Sequence, residues 1–225
     1  MEKKRYQWRE EGGENLPFVA TKRWLGEMLL VGLWALLFAE PVLAQYEFSP
    51  SSLETGVFLV ASPSLDDPNF HHSVLLIIEH GRGGTVGLIL NRPTDVLLSD
   101  VLQDLPILKT TPHRLFAGGP VGGTQMVLLF RLDRPYPDTR LIVGRIYVGT
   151  PSVLERILTQ PKLTETFRAF AGFAGWAPGQ LEQEMQEGAW GVLPKHSFDI
   201  FDKDPARIWP DSISRLQAPR TISNR

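Results

Sequence analysis

Three histidines, His71, His72 and His80, lie close in sequence to Asp67 and Glu79, and metal ligation is the first chemistry such a set suggests. Adjacent histidines on a strand point to opposite sides, so His71 and His72 do not readily share one ion there. A carboxylate such as Asp67 or Glu79 completes a site only with help from the fold. Nucleophilic catalysis has less support: no G-x-S-x-G elbow occurs, and Ser73 beside His72 has no spacing with a mechanism behind it. The run Gly118-Gly119-Pro120-Val121-Gly122-Gly123 offers backbone N–H groups to an anion, but it matches neither GxxxxGK[ST] nor GxGxxG. Pro120 removes one donor and no lysine follows, so a tight structural turn is the favoured reading. The carboxylate pairs Asp66/Asp67 and Glu182/Glu184 fit solvated loop and helix surfaces and establish no glycosidase pair. Without cysteine, disulfides, thiolate metal sites and cysteine nucleophiles are excluded. The residues therefore name no catalytic group, no metal site and no cofactor.

The densest local signal is Gly172-Phe173-Ala174-Gly175-Trp176-Ala177-Pro178-Gly179-Gln180-Leu181-Glu182. Its glycines permit close backbone approach, Trp176 supplies a broad apolar plate, and Gln180 can hydrogen-bond locally or to a partner. One reading is a loop pinned to the core by Trp176. The sharper reading is a ligand or partner surface made of His80, Asn91, Arg92, Gly118, Gly119, Trp176, Gln180 and Glu182.

The elements that must position these residues follow from patterning. Gly56–Ala61 reads as a buried strand, Ser73–Glu79 as a strand buried on both faces, and Thr85–Leu90 as its hairpin partner. Asn91-Arg92-Pro93 ends that strand. Ser99 caps a short expected helix through about Gln103. Strands are expected at Met126–Leu132 and Ile142–Val148, a helix from Pro151 to about Leu158, and a second helical stretch near Leu163–Ala171. Gly172–Trp176 is too glycine-rich to continue that stretch. Pro178 is placed as the first residue of a further helix and Gly188 as its end, with Leu181 and Met185 on its apolar face and Glu182 favourable to its dipole. Trp190–Leu193 closes the series of strands, and Pro205–Leu216 forms a terminal helix. Strands with interspersed helices and no regular βαβ alternation favour a mixed-sheet α+β domain over a doubly wound nucleotide fold.

Of the 225 residues, 43% are hydrophobic and 21% charged, a globular composition with a formal net charge of −2. Residues 1–44 carry six basic and six acidic residues, which leaves 17 basic against 19 acidic in the remainder. Direct nucleic-acid binding is disfavoured, because phosphate neutralisation normally demands a basic excess. Behind Lys22-Arg23, the 12-residue apolar run Met28–Ala39 has the length of a signal-peptide core, short of a bilayer span. Glu40-Pro41 breaks the run, and Val42-Leu43-Ala44 predicts cleavage between Ala44 and Gln45 and export to the periplasm, the alternative being a cytoplasmic protein whose start site is over-extended. The expected organisation is thus an extension over 1–44, a linker over 45–52, a domain over 53–216 and a flexible tail over 217–225. Membrane contact is expected only through the N-terminal segment if it stays uncleaved.

Taken in order, GVFLVASPSLDDPNF from Gly56, SVLLIIEH from Ser73, GLILNRP from Gly87, GGPV from Gly118 and FAGWAPGQLE from Phe173, then Glu184 and Trp190, closely resemble the AlgH/YqgE family over residues 53–210. The resemblance implies one α/β domain with a bulged mixed sheet and flanking helices. It implies no agreed catalytic residue, although the family is often labelled a transcriptional regulator. Two departures stand out. Relatives of this kind are typically cytoplasmic and begin near the first strand, whereas this chain has residues 1–52 in front. Phe173 also stands where tyrosine is common, which removes a hydroxyl. The resulting expectation is a non-enzymatic binding or regulatory domain with a protein or small-molecule partner. The competing expectation is an enzyme or small-molecule site around His80, Asn91, Arg92 and Trp176.

Overall fold

In a computed structural model that describes residues 53–110 and 112–218, the sheet is organised about one long strand, β9 (Thr166–Trp176). Its first half pairs antiparallel with β6 (Val121–Arg131) and parallel with β5 (Arg114–Ala117). Its second half pairs antiparallel with β3 (Gly84–Ile89). The change of neighbours occurs around Gly172 (φ +68), where a Cβ would lie 2.7 Å from the Val121 carbonyl oxygen. Sequence patterning gave this segment a helix near Leu163–Ala171 followed by a loop, and the strand corrects both. The aromatics Phe167, Phe170, Phe173 and Trp176 recur every third residue and imitate a helical face. Neighbours on both sides decide the conformation instead, as is usual for a central strand.

Around this axis the remaining strands are β1 (Phe58–Ala61), β2 (Val74–Gly81), β4 (Pro93–Leu97), β7 (Arg140–Val143), β8 (Ile146–Gly149) and β10 (Trp190–Leu193). The main path runs β10-β1-β2-β3-β9-β6-β8-β7, with β4 paired to β5 off it. The expected β2–β3 hairpin is present, closed by Arg82-Gly83 between Gly81 and Gly84. The single strand expected over Ile142–Val148 is a hairpin instead, because Gly144 (φ +56) turns the chain between β7 and β8. β4 had no counterpart in the sequence reading; Asn91-Arg92-Pro93 ends one strand and begins the next.

Four helices complete the domain: α1 (Leu98–Val101), α2 (Pro151–Thr159), α3 (Gln180–Gln186) and α4 (Pro205–Gln217), with a 3-10 turn at Pro106–Thr110. Ser99 is not the cap of α1. Leu97 occupies that position without a side-chain hydrogen bond, and the fully buried Leu98 starts the helix. In α3 the cap is Gly179 rather than a first-turn Pro178, while Gly188 (φ +79) ends the helix as expected. Leu181 and Met185 are buried, each stabilising the domain by about 1.5–3 kcal/mol on the apolar-transfer scale. α4 is capped by the Asp204 carboxylate, which accepts from the Ala206 N–H at 3.0 Å.

Because side chains alternate along a strand, β1 serves two cores. Phe58 and Val60 enter one, together with Leu76, Ile142, Val143, Ile200 and Ile208. Val57, Leu59 and Ala61 enter another, with Trp176, Leu181, Met185 and Trp190. A third core, around Phe130, Leu132 and Leu154, lies under α2. The sheet curls so far that β7 returns over β1 and β2. Arg140 Nη1 donates to the Ile78 carbonyl at 2.9 Å, and a Cβ on Gly56 would lie 2.9 Å from Val143 Cβ. The linker, the export-type segment and the end of the tail lie outside the described residues.

Candidate functional site

The residues singled out by sequence form a chain of internal tethers. Asn91 Nδ2 donates to the His72 carbonyl at 2.9 Å, and its Oδ1 accepts from the Val74 N–H at 3.0 Å. Arg92 donates through Nη1 to the Asn69 carbonyl at 2.5 Å and through Nη2 to the His71 carbonyl at 3.1 Å. Burial pushes the Arg92 pKa down, and the Asp67 carboxylate partly offsets this. Together the two side chains fix the 67–73 loop, which presents Phe70 to a pair of indoles. The Phe70 ring stacks 5.8 Å from Trp176 and meets Trp190 edge-on at 5.4 Å. Both indole N–H groups donate to one carboxylate oxygen, Glu184 Oε2, at 3.0 Å from Trp176 and 2.9 Å from Trp190. Gln180 holds the other oxygen, donating to Glu184 Oε1 at 3.0 Å, while its own Oε1 accepts from the Ala177 N–H at 3.1 Å.

The other four serve the same end or stand apart. Gly118 donates its N–H to the Ala171 carbonyl and accepts from the Ile89 N–H, at 2.8 and 2.9 Å. A Cβ on Gly118 would lie 2.3 Å from the Gly172 carbonyl oxygen, and one on Gly119 would lie 2.2 Å from the Phe173 carbonyl carbon. This run packs backbone on backbone where the chain passes from β5 to β6 across β9, and Val121, Gly122 and Gly123 already belong to β6, so it is not a tight turn. His80 Nδ1 bonds Thr85 Oγ1 at 2.9 Å at the far end of β2, and the partly buried Glu182 makes no hydrogen bond with its side chain among the described residues. Asn91 attaches at Val74 and His80 lies six residues further along the strand, a separation of about 20 Å. The eight residues therefore spread along the sheet, His80 beside the Thr85–Trp176 pair at one end and Asn91 and Arg92 at the other, with the Phe70 loop between Arg92 and Trp176. His71 and His72 occupy a turn rather than a strand, with His72 at φ +53 and the rings 4.7 Å apart. Among the described residues, no group of three or more His, Asp or Glu side chains is placed to hold a metal ion.

Space for a ligand lies on the opposite face of β1. A cleft of about 370 Å³ opens where the β7–β8 hairpin and the 194–200 segment approach Phe58. Its floor is Phe198, tilted over the buried Phe58 at a ring separation of 4.4 Å, with the buried Val143 and Ile200 beside it. Its rim carries Arg131, Arg145, His196 and Asp199. Arg131 donates to Asp199 and Asp202, both at 2.7 Å. Arg145 pairs with Asp133 and donates to the carbonyls of Leu132 and Thr164 at 3.3 and 3.4 Å. His196 has φ +65, rare for a residue with a Cβ, and its ring lies against Gly144, where a Cβ would meet it at 2.6 Å. Behind this rim, Arg168 lies over the Phe116 ring at 4.3 Å and donates to the Leu90 carbonyl at 3.1 Å. Burial lowers its pKa to about 10 against the opposing pull of Asp199.

The hydrogen bond from Arg131 holds the Asp202 carboxyl below the ordinary carboxylate range, against the opposing effect of burial. A depressed carboxyl pKa stabilises the fold above the unfolded value of about 3.9, and that contribution disappears as pH falls through the folded value. Asp202→Asn is expected to show a smaller loss of urea midpoint than wild type between about pH 5 and about pH 2.5. Parallel curves for the two proteins would contradict this linkage.

None of the cleft residues stood out in sequence. They come from four separate segments, and only the curl of the sheet assembles them. Glu184 was visible as half of a carboxylate pair and as one of the residues carrying the family resemblance, but nothing in its spacing marks it as the acceptor for two indoles.

The sequence and the fold have counterparts among known proteins. An AlgH-like family model matches residues 58–220. A UPF0301 protein of Streptomyces coelicolor is 37% identical over 165 residues, covering 72% of this chain and 86% of its own length. A UPF0301 protein of Magnetococcus marinus is 34% identical over 163 residues, covering 72% of this chain and 88% of its own. The solution structure of the AlgH protein from Pseudomonas aeruginosa superposes with a TM-score of 0.61 at 30% identity, covering 77% of this chain and 93% of that one. A crystal structure of a Corynebacterium diphtheriae protein gives 0.62 at 28% identity, covering 82% and 96%. The curled, mostly antiparallel sheet with four helices is that of these structures. By sequence and by fold, the chain belongs to the AlgH-like family.

Proposed function

We propose that this domain is a non-enzymatic binding or regulatory domain, and that the cleft beside Phe58 is its recognition site. The observation that carries the reading is a division of labour across β1. On one face, Asn91, Arg92, Trp176, Gln180 and Glu184 bond to one another or to backbone. On the other, a cleft of about 370 Å³ combines an aromatic floor with a polar rim. That volume and lining suit a molecule of metabolite size, for which sites of roughly 300–1,000 Å³ are usual. A thermal-shift screen of small metabolites should find stabilising compounds whose effect vanishes in Ile146→Trp, which fills the cleft. Stabilisation that survives in Ile146→Trp would move the site elsewhere.

We also propose that this member is exported to the periplasm and released after Ala44. The support is the apolar run behind Lys22-Arg23 and the small residue ending Val42-Leu43-Ala44. Gln45 at the N-terminus of the mature protein is the expected result; an intact Met1 on protein held in the cytoplasm is the contrary one. Under this reading the domain meets its ligand outside the cytoplasm, and the regulation of transcription by direct contact with DNA is not part of its role.

A further inference from the structure

Resting on the reading of the cleft as a binding site, the groups left unspent at its rim define the ligand. Asp199 is committed to Arg131 and to the N–H groups of Phe201 and Asp202, and Asp133 to Arg145 and Thr164. What remains is donors. Arg145 leaves Nη1 without a protein acceptor, and the imidazole of His196 makes no hydrogen bond, among the described residues. The His196 backbone is held at φ +65 with its ring against Gly144, so the ring is placed at the rim rather than free to leave it. Below these donors lies the partly exposed ring of Phe198, which covers the buried Phe58.

We infer that the cleft binds a small amphiphilic monocarboxylic acid, its ring-sized apolar body against Phe198 and its carboxylate between Arg145 and His196. Two donors match the two oxygens of a carboxylate, and charge-assisted bonds of this kind are the strong ones. A dianion such as a phosphate monoester is disfavoured by Asp133, Asp199 and Asp202, which surround the same rim. A neutral molecule of the same shape gains the floor but leaves both donors without an ionic acceptor.

Calorimetric titration with 2-naphthoate, 2-naphthalenemethanol and 2-naphthyl phosphate separates these cases. Naphthoate is expected to bind ~10-fold or more tightly than the alcohol, as charge-assisted bonding at one carboxylate implies, and more tightly than the phosphate. His196→Gly removes the imidazole at a backbone angle glycine adopts freely, so the fold is retained. It should weaken naphthoate by ~5–10-fold and leave the alcohol unchanged. Equal affinity for acid and alcohol, tighter binding of the phosphate, or no effect of His196→Gly would overturn the acid inference and leave the cleft a binding site. Failure of all three compounds to bind wild type, with Ile146→Trp indistinguishable from it, would overturn both.

Discussion

Gly119→Ala is expected to cost the domain about 3 kcal/mol or more, the upper range of overpacking effects. The new Cβ would lie 2.2 Å from the Phe173 carbonyl carbon and 2.3 Å from the Ala174 nitrogen, both backbone atoms of the central strand. No rotamer change relieves such an overlap, so either the 118–120 turn or β9 must move. Movement of β9 would disturb the pairing of Val121 with Phe173 and of Gly87 with Ala174. Gly123→Ala is the control, since a Cβ there meets nothing within 4 Å; its effect should stay within about 0.5 kcal/mol. Urea denaturation of the three proteins reads the difference. A Gly119→Ala protein as stable as Gly123→Ala would show that the turn does not press on the strand.

Glu184→Ala should lower stability by about 3 kcal/mol, a fall of about 6–12 °C in Tm for a domain of this size. The truncation leaves two indole donors without their acceptor. Trp176 and Trp190 are 5% and 1% exposed, so water replaces the lost carboxylate only in part. Gln180 loses its partner as well. Glu184→Gln keeps one acceptor oxygen and should fall between wild type and alanine. Tryptophan emission should shift to the red in Glu184→Ala as the Phe70–Trp176–Trp190 cluster loosens. Unchanged emission and Tm would mean that packing alone holds the indoles.

These two variants show why so much of the fold was legible and so little of the site. Strands β1, β2, β3 and β10 and helices α2 and α4 carry local signals: apolar runs, a glycine hairpin, and a proline at the helix start. β9 does not, since its aromatics mimic a helical repeat and its conformation comes from strands distant in sequence. The eight residues noticed in sequence were noticed for their unusual types, and unusual types mark backbone and packing demands as readily as recognition. Gly118 and Gly119 answer to close approach, Asn91 and Arg92 to a loop without regular structure. The cleft residues are ordinary types whose meaning depends on the β7–β8 hairpin returning to Phe58. No spacing along the chain encodes that return.

The central claim, that a cleft at the edge of the Phe58 core recognises a ligand while the polar cluster around Glu184 serves the fold, is most directly tested by mapping amide and indole shifts during titration with 2-naphthoate. The account predicts that the amides of Phe58, Val143–Ile146 and His196–Ile200 move together and saturate, while the Trp176 and Trp190 indole N–H signals stay in place. Movement of those indole signals, with the cleft amides still, would contradict it.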